Sequence, residues 1–360
     1  MKNLIIPLTL FLLMINQSQA QIDTSNLSIS ISGYAEPYYG FDVNEPADGN
    51  RPGFVYAHNR HNEFNLNIAY LKASVNAQRF HGNFAIMAGT YANANLAAEP
   101  GTLQNVYEAN AGVKLSKKQE LWLDAGIFGS HIGFESAVGK DCWTLTRSIL
   151  ADNSPYYESG AKLSYTTPSG KWFLSALALN GWQRIQRVPG NFLLSGGTQI
   201  QFKPNAKVTL NSSTFFGTDK PDDARLWRAF HNFYGIFQCS DHFGLTLGFD
   251  TGWEENARAG DDPNFWYSPV LIARYTINDR VTLAGRAEYY SDKNGVIIAT
   301  GTENGFQTLG VSANLDVQIH KNAVWRLEGK LYNSQDEIFV KDNSASKSNA
   351  VVTTAFAVWF

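Results

Sequence analysis

Apolar and polar residues alternate one by one in stretch after stretch of this 360-residue chain, and no other feature constrains its fold as much. Phe243, Leu245, Leu247 and Phe249 alternate with Gly244, Thr246, Gly248 and Asp250. Leu309, Val311, Ala313, Leu315 and Val317 alternate with Gly310, Ser312, Asn314, Asp316 and Gln318. A period of two marks a β-strand with one apolar and one polar face. Such strands are predicted over 27–41, 62–78, 83–93, 105–116, 120–129, 155–167, 171–182 and 192–203. They continue over 206–216, 228–239, 243–252, 265–277, 280–291, 306–319, 323–333 and 349–360, which makes sixteen.

The connections alternate too. Short turns are read at Arg79–Gly82, Ser116–Gln119, Pro168–Gly170, Pro204–Asn205, Ser240–His242, Asn278–Asp279 and His320–Asn322. Longer loops fall at 42–61, 94–104, 130–154, 183–191, 217–227, 253–264, 292–305 and 334–348. An even strand count, with short turns on one side and long loops on the other, specifies an all-β fold. The expected form is a transmembrane antiparallel up-and-down β-barrel of about 16 strands, with short periplasmic turns and long extracellular loops. A soluble sandwich mixes its connection lengths. No internal run of 18 apolar residues exists, which excludes a helical membrane protein. Pro37 should end the first strand early or bulge it. Residues 171–182 and 228–239 are apolar on both faces, so their inward face stays open; a loop folded into the barrel would cover it.

The chain is 13% aromatic, with 9 Trp, 16 Tyr and 23 Phe. Trp122, Trp172, Trp325 and Trp359 stand beside short turns or the C-terminus. Trp182, Trp227, Trp253 and Trp266 stand beside long loops, and Trp143 lies inside one. Tryptophans at both strand ends are expected as two aromatic girdles at the membrane interfaces. The pairs Tyr38-Tyr39, Tyr156-Tyr157 and Tyr289-Tyr290 should add to the loop-side belt. The competing reading is a lectin-like domain whose aromatics bind sugar.

Residues 1–20 read as a cleaved signal peptide. Lys2 supplies the positive start, Leu4 to Ile15 the short apolar run, and Ser18-Gln19-Ala20 the small cleavage positions. Residues 21–360 carry no linker or low-complexity tract and read as one outer-membrane barrel domain. Cys142 and Cys239 are expected to be free. Lys and Arg number 29 against 32 Asp and Glu, a net charge of -3, which argues against nucleic acid as a partner.

Sixteen strands enclose a lumen wide enough for water. The polar faces place Asp124, Glu158, Lys162, Gln199, Asp250, Arg274, Arg286, Glu288, Arg326, Glu328 and Lys330 along it. The mixture of signs argues against a strong single-ion selector. Loop 130–154 holds Ile132, Phe134, Val138, Trp143, Leu145, Ile149 and Leu150, too many apolar residues for a loop in water. Folded inward, it would bury them and narrow the channel, with Glu135, Lys140, Asp141 and Arg147 setting field and width at the constriction. Otherwise it packs over the barrel mouth or at a subunit contact.

Ser130-His131-Ile132-Gly133-Phe134-Glu135, Thr144-Leu145-Thr146-Arg147-Ser148-Ile149-Leu150 and Leu179-Asn180-Gly181-Trp182-Gln183-Arg184 resemble the OmpL-like β-barrel porin family. So do Phe230-His231-Asn232-Phe233-Tyr234-Gly235-Ile236 and Glu288-Tyr289-Tyr290-Ser291-Asp292. The resemblance spans nearly all of 21–360. It implies a porin-like barrel in the outer membrane of a Gram-negative bacterium and supplies no catalytic residues. The terminal Phe356-Ala357-Val358-Trp359-Phe360 is similar to the C-terminal signature of such barrels, which implies Phe360 as an assembly signal for the barrel-assembly machinery.

The expected function is therefore passive diffusion of small hydrophilic solutes through a mixed-charge lumen narrowed by loop 130–154. The alternatives are a sealed barrel acting as adhesin, receptor or structural anchor through its long loops, and an exported soluble sugar-binding β-protein. Expected partners are outer-membrane lipid, the solutes themselves and further copies of the chain. No enzyme is expected: the chain has no Gly-x-Ser-x-Gly, no His-Glu-x-x-His and no zinc-spaced Cys pair. His58 and His61 could pair on a metal, and Asp222-Asp223 or Asp261-Asp262 could bind calcium in the loops. No other cofactor is expected.

Overall fold

The computed structural model describes residues 27–258, 260–342 and 344–360. The segment read as a signal peptide, 1–20, lies outside the described residues. The wall begins with β1 (Ser28–Asp42), β2 (Phe64–Asn76), β3 (Phe80–Ala88), β4 (Val106–Lys114), β5 (Glu120–Gly129) and β6 (Tyr157–Thr166). It continues with β7 (Trp172–Leu179), β8 (Ser195–Asn205), β9 (Val208–Gly217), β10 (Arg228–Gln238), β11 (Phe243–Glu254) and β12 (Asn264–Thr276). β13 (Val281–Asp292), β14 (Phe306–His320) and β15 (Ala323–Ser334) follow. A two-stranded hairpin, β16 (Phe339–Lys341) and β17 (Ser344–Ser346), stands in the last loop, and β18 (Ser348–Trp359) ends the wall.

Each wall strand pairs with its chain neighbours, and β1 pairs antiparallel with β18, so the sixteen strands close. Closure leaves no unpaired edge, which a lipid environment demands because nothing there can satisfy free N–H and C=O groups. No helix of the described residues is long and apolar enough to cross a membrane. Parity sorts the faces as the alternation predicts. On β11, Thr246, Gly248, Asp250, Gly252 and Glu254 are buried inside, while Leu247, Phe249 and Trp253 are exposed outside.

The wall departs from the sequence reading at a few points. At Pro37, the β1–β2 register shifts between Glu36 and Pro37, a bulge that accommodates the missing N–H. The strand predicted over 83–93 ends at Ala88. Gly89 has φ +128, and a Cβ there would strike the Asn67 backbone. The chain turns off the wall at that glycine into α1 (Thr90–Asn95), whose Thr90, Tyr91, Ala92 and Asn95 are buried. The ambiguous strands are also resolved. Leu177 and Leu179 of β7 and Phe230 of β10 point inward and are buried against loops that fill the barrel.

Parity corrects the two girdles. Trp172, Trp227, Trp253 and Trp325 lie on the outer face; Trp172 stacks on Phe202 and Trp227 on Phe216. Trp122, Trp182, Trp266 and Trp359 lie inside. Trp122 stacks on His81, Trp182 packs on Phe215 and Phe230, Trp266 is 1% exposed, and Lys140 sits over Trp359. Position at a strand end sets a side chain's height, but its parity along the strand sets its face. The same rule splits the tyrosine pairs: Tyr38 and Tyr290 are buried inside, so their neighbours Tyr39 and Tyr289 cannot be. Tyr156, predicted for the belt, stands just before β6 and packs on Tyr91. Both cysteines are free, Cys142 buried and Cys239 exposed.

Candidate functional site

The loop between β5 and β6 enters the lumen and crosses it. On its first side it is tied to β6, β9 and β10. His131 Nδ1 meets Glu158 at 2.9 Å, its Nε2 meets the Thr214 carbonyl at 2.8 Å, and Ser213 donates to the His131 carbonyl at 2.6 Å. The Gly133 N–H donates to Asn232 Oδ1 at 3.1 Å, and Asn232 in turn donates to Asp250. On its far side the loop is tied to β13, β14 and β15. The N–H groups of Leu145, Thr146 and Ile149 donate to Asn314 (2.9 Å), Glu328 (2.5 Å) and Glu288 (2.6 Å). Lys330 donates to the Arg147 carbonyl at 2.9 Å, and Arg326 to the carbonyls of Gly139 and Cys142 at 2.6 and 3.0 Å. The loop returns to β6 through α2 (Ile149–Asp152), a single helical turn capped by Ser148.

The wall charges that bind this loop also bind each other. Arg286 lies 2.8 Å from Glu328, 3.4 Å from Glu288 and 3.6 Å from Glu135. Lys330 meets Glu288 at 2.7 Å, and Arg326 meets Asp316 at 2.7 Å. A charge removed from water is tolerated only when paired and hydrogen-bonded, and here each of these cations has both kinds of partner.

This arrangement corrects the expected water-lined lumen. The inward face of Glu158, Arg286, Glu288, Arg326, Glu328 and Lys330 is as read from the sequence, yet these side chains are buried against protein. Asp124 pairs with His81 at 2.5 Å, Asp250 is buried, Lys162 sits over Phe128 and Arg274 over Trp143. Gln199 hydrogen-bonds Asn211 at 2.8 Å. Of the constriction candidates, Glu135 and Arg147 are interior braces of the loop. Glu135 accepts from Ser148, and Arg147 donates to the carbonyls of Ser136, Leu145 and Ala137. Lys140 and Asp141 pair at 2.7 Å and remain partly exposed, with Lys140 lining a cavity of about 480 Å³ at the short-turn end.

A second tether escaped the sequence reading. Glu36, fully buried beside the bulge that β2 makes opposite Pro37, accepts from Asn67 at 2.8 Å and Tyr34 and meets His58 Nε2 at 2.9 Å. It pins the first loop inside the barrel. The available signal was a carboxylate inside an apolar stretch beside a proline. His58 and His61 have separate partners, since His61 Nδ1 accepts from the Asp42 N–H. Among the described residues, no three His, Cys, Asp or Glu side chains converge to hold a metal ion. Asp222 pairs with Arg225 and Asp261 with Arg258.

Between the two ends lies an apolar layer. One cluster joins Phe54, Phe128, Ile132, Ile149, Leu179, Phe230, Trp266 and Phe306; a second joins Tyr34, Ile68, Met87, Tyr91, Val138 and Tyr157. Their members come from strands all around the wall and from the in-folded loops. On the long-loop side, cavities of about 490, 440 and 410 Å³ open above it. A groove of about 750 Å³ lies mostly on the lipid-facing side of β9–β14, outside this machinery. Within α2, burial pushes the Asp152 carboxyl up to about 6.

Residues 28–360 match the model of the family described as "Putative beta-barrel porin-2, OmpL-like". The chain belongs to this family. It is a porin-like β-barrel of the bacterial outer membrane. Its fold is similar to an anion-selective porin from Comamonas acidovorans, with TM-score 0.61 and 9% identity, covering 93% of this chain and 100% of that one. It is similar to the outer membrane channel DcaP of Acinetobacter baumannii, with TM-score 0.59 and 11% identity, over 93% and 98% of the two chains. It is also similar to the trimer form of OmpT of Vibrio cholerae, with TM-score 0.58 and 8% identity, over 93% and 100%. No curated protein sequence matches this chain.

Proposed function

We propose that this porin-like barrel passes small hydrophilic solutes by passive diffusion, and that loop 130–154 sets the width of the passage. The observation that carries this reading is the asymmetry of the lumen. The far side of the loop is bound to β13–β15 and its first residues to the long-loop ends of β6, β9 and β10, while the inner face of β2–β8 keeps hydrophilic side chains that are only partly buried: Lys72, Asn83, Glu108, Asn110, Lys162, Gln199 and Gln201. A passage along that face opens when the loop and the apolar layer beside it yield. Lys140 and Asp141, at the short-turn end of the loop, set the charge at its entrance.

The apolar layer favours a second reading, a sealed barrel whose long loops serve as adhesin, receptor or anchor. Planar-bilayer recording separates the two. Full-length protein should give discrete conductance steps, and removing 136–146 should enlarge them; graded sugar sizes then measure the opening. No steps from either protein would leave the sealed barrel. The same reading takes residues 21–360 as one domain, surrounded by outer-membrane lipid, with no catalytic role. Phe360 would present the final strand to the barrel-assembly machinery, and further copies of the chain could join through the outer wall.

A further inference from the structure

The first and last loops meet above the seam where β1 pairs with β18. There the Arg51 side chain is 1% exposed. Among the described residues, none of its three guanidinium nitrogens has a hydrogen-bond partner. The nearest carboxylate oxygen, Asp42 Oδ2, is 4.0 Å from Nε, beyond hydrogen-bond reach. Asp42 Oδ2 and Asn349 Oδ1 are themselves buried and unpartnered. Asp42 Oδ1 is committed, accepting from the Asn44 N–H at 2.9 Å and from Asn349 Nδ2 at 2.7 Å. Arg51, Asp42 and Asn349 all line the 440 Å³ cavity.

A buried guanidinium without acceptors is costly, so this wall is built to meet a partner. The partner's chemistry is bounded from both sides. Arg51 can only donate, whereas Asp42 Oδ2 and Asn349 Oδ1 can only accept. An anion would satisfy Arg51 but would face the carboxylates of Asp42, Glu45 and Asp48 on the same cavity. A cation would be repelled by Arg51. A hydroxyl group donates and accepts at once, so a ligand bearing several neutral hydroxyls answers the whole set.

The shape points the same way. This cavity shares Pro52, Gly53 and Ile338 with the 410 Å³ cavity beside it. That one shares Tyr56, Asn153 and Ile297 with the 490 Å³ cavity, which reaches Trp182. Three adjoining spaces cross the mouth, a shape that suits an extended chain of sugar rings, with Tyr56 and Trp182 on the lining. We propose that the extracellular mouth binds a neutral oligosaccharide, anchored by Arg51, Asp42 and Asn349. This deepens the outer-membrane reading but does not depend on conduction. The sugar could arrive free in solution or as a neutral outer glycan of surrounding lipopolysaccharide.

The test is calorimetry on full-length protein in detergent, with maltohexaose, with a neutral O-chain oligosaccharide freed of lipid and of the charged inner core, and with inorganic phosphate. Saturable binding of either saccharide is expected, and which one binds identifies the source. Arg51→Met should weaken that binding at least about tenfold, the loss of charged hydrogen bonds. The same variant should keep the heat-modifiable gel mobility of the folded barrel, because the strand ladders that close the wall do not use the Arg51 side chain. A misfolded variant would lose it, and Asn349→Ala then serves as the second probe. Three results would overturn the proposal: binding of phosphate alone, no saturable binding of either saccharide (water only in the cavity), or full binding by Arg51→Met. No conductance is read, so failure of the channel reading leaves the test intact.

Discussion

Arg286 on β13 and Glu328 on β15 face each other at 2.8 Å across β14, and neither side chain reaches solvent. Between them they hold Thr146 three ways: its N–H on Glu328, and its carbonyl and hydroxyl on Arg286. The pair is therefore the clasp of the in-folded loop. Arg286→Met would leave Glu135 and Glu328 buried without their ion partner, while Glu288 would keep Lys330. Removing one partner of a buried pair costs about 3–5 kcal/mol. The closed strand ladders do not depend on this pair, so the barrel should still show heat-modifiable gel mobility while the loop comes loose. Limited trypsin digestion should then cut after Lys140 and Arg147 in the variant far faster than in the parent protein. Equal digestion patterns would remove the clasp.

Asp152 gives the loop a pH dependence. Burial holds its carboxyl at about 6, above the roughly 3.9 of an unperturbed aspartate. A raised carboxyl favours the folded loop when protonated, so that increment is complete below about pH 4 and is lost as pH rises through 6. Asp152→Asn should hold the loop at pH 7 as firmly as the parent chain holds it near pH 4. Hydrogen-exchange protection of the Ile149–Asn153 amides, compared at the two pH values, reads this directly. A parent loop equally protected at both would contradict it.

Brominated lipids test the tryptophan faces, since they quench only indoles at the lipid surface. Replacing Trp172, Trp227, Trp253 or Trp325 by Phe should each remove part of the quenched emission. Replacing Trp182 or Trp266 should leave the quenched part unchanged, because these rings pack inside on Phe230.

Phe360 exchanges two backbone hydrogen bonds with Gly33, at 3.1 and 3.2 Å, and its ring covers the space a Gly33 side chain would take. Aromatic cover of a strand glycine stabilises the pairing it spans. Deleting Phe360 removes both bonds and the ring at the closing seam, a loss of about 2 kcal/mol from the hydrogen bonds alone. The heat-modifiable, folded fraction in membranes should fall. An unchanged fraction would deny Phe360 a part in assembly.

Much of this was legible in the chain itself. Period-two alternation and alternating connection lengths specify sixteen antiparallel strands, because side chains alternate faces at every residue and lipid tolerates no open edge. The inward set from Arg286 to Lys330 follows from the same parity. The composition of loop 130–154 called for burial, since seven apolar side chains cannot stay in water without cost.

Other features needed the third dimension. Trp266 and Trp253 stand beside the same loop, yet one faces the lumen and the other the membrane; strand-end position alone does not distinguish them. Glu36 faces inward by plain parity, but it became a tether only when the bulge opposite Pro37 turned Asn67 inward beside it and the first loop brought His58 to it. Arg51, Asp42 and Asn349 come from the two ends of the chain and meet only because β1 closes on β18. The sequence determined the wall, since each strand's pattern is local. Only the tertiary structure decided what fills the lumen, because a charge facing inward meets water or protein according to where a distant loop comes to rest.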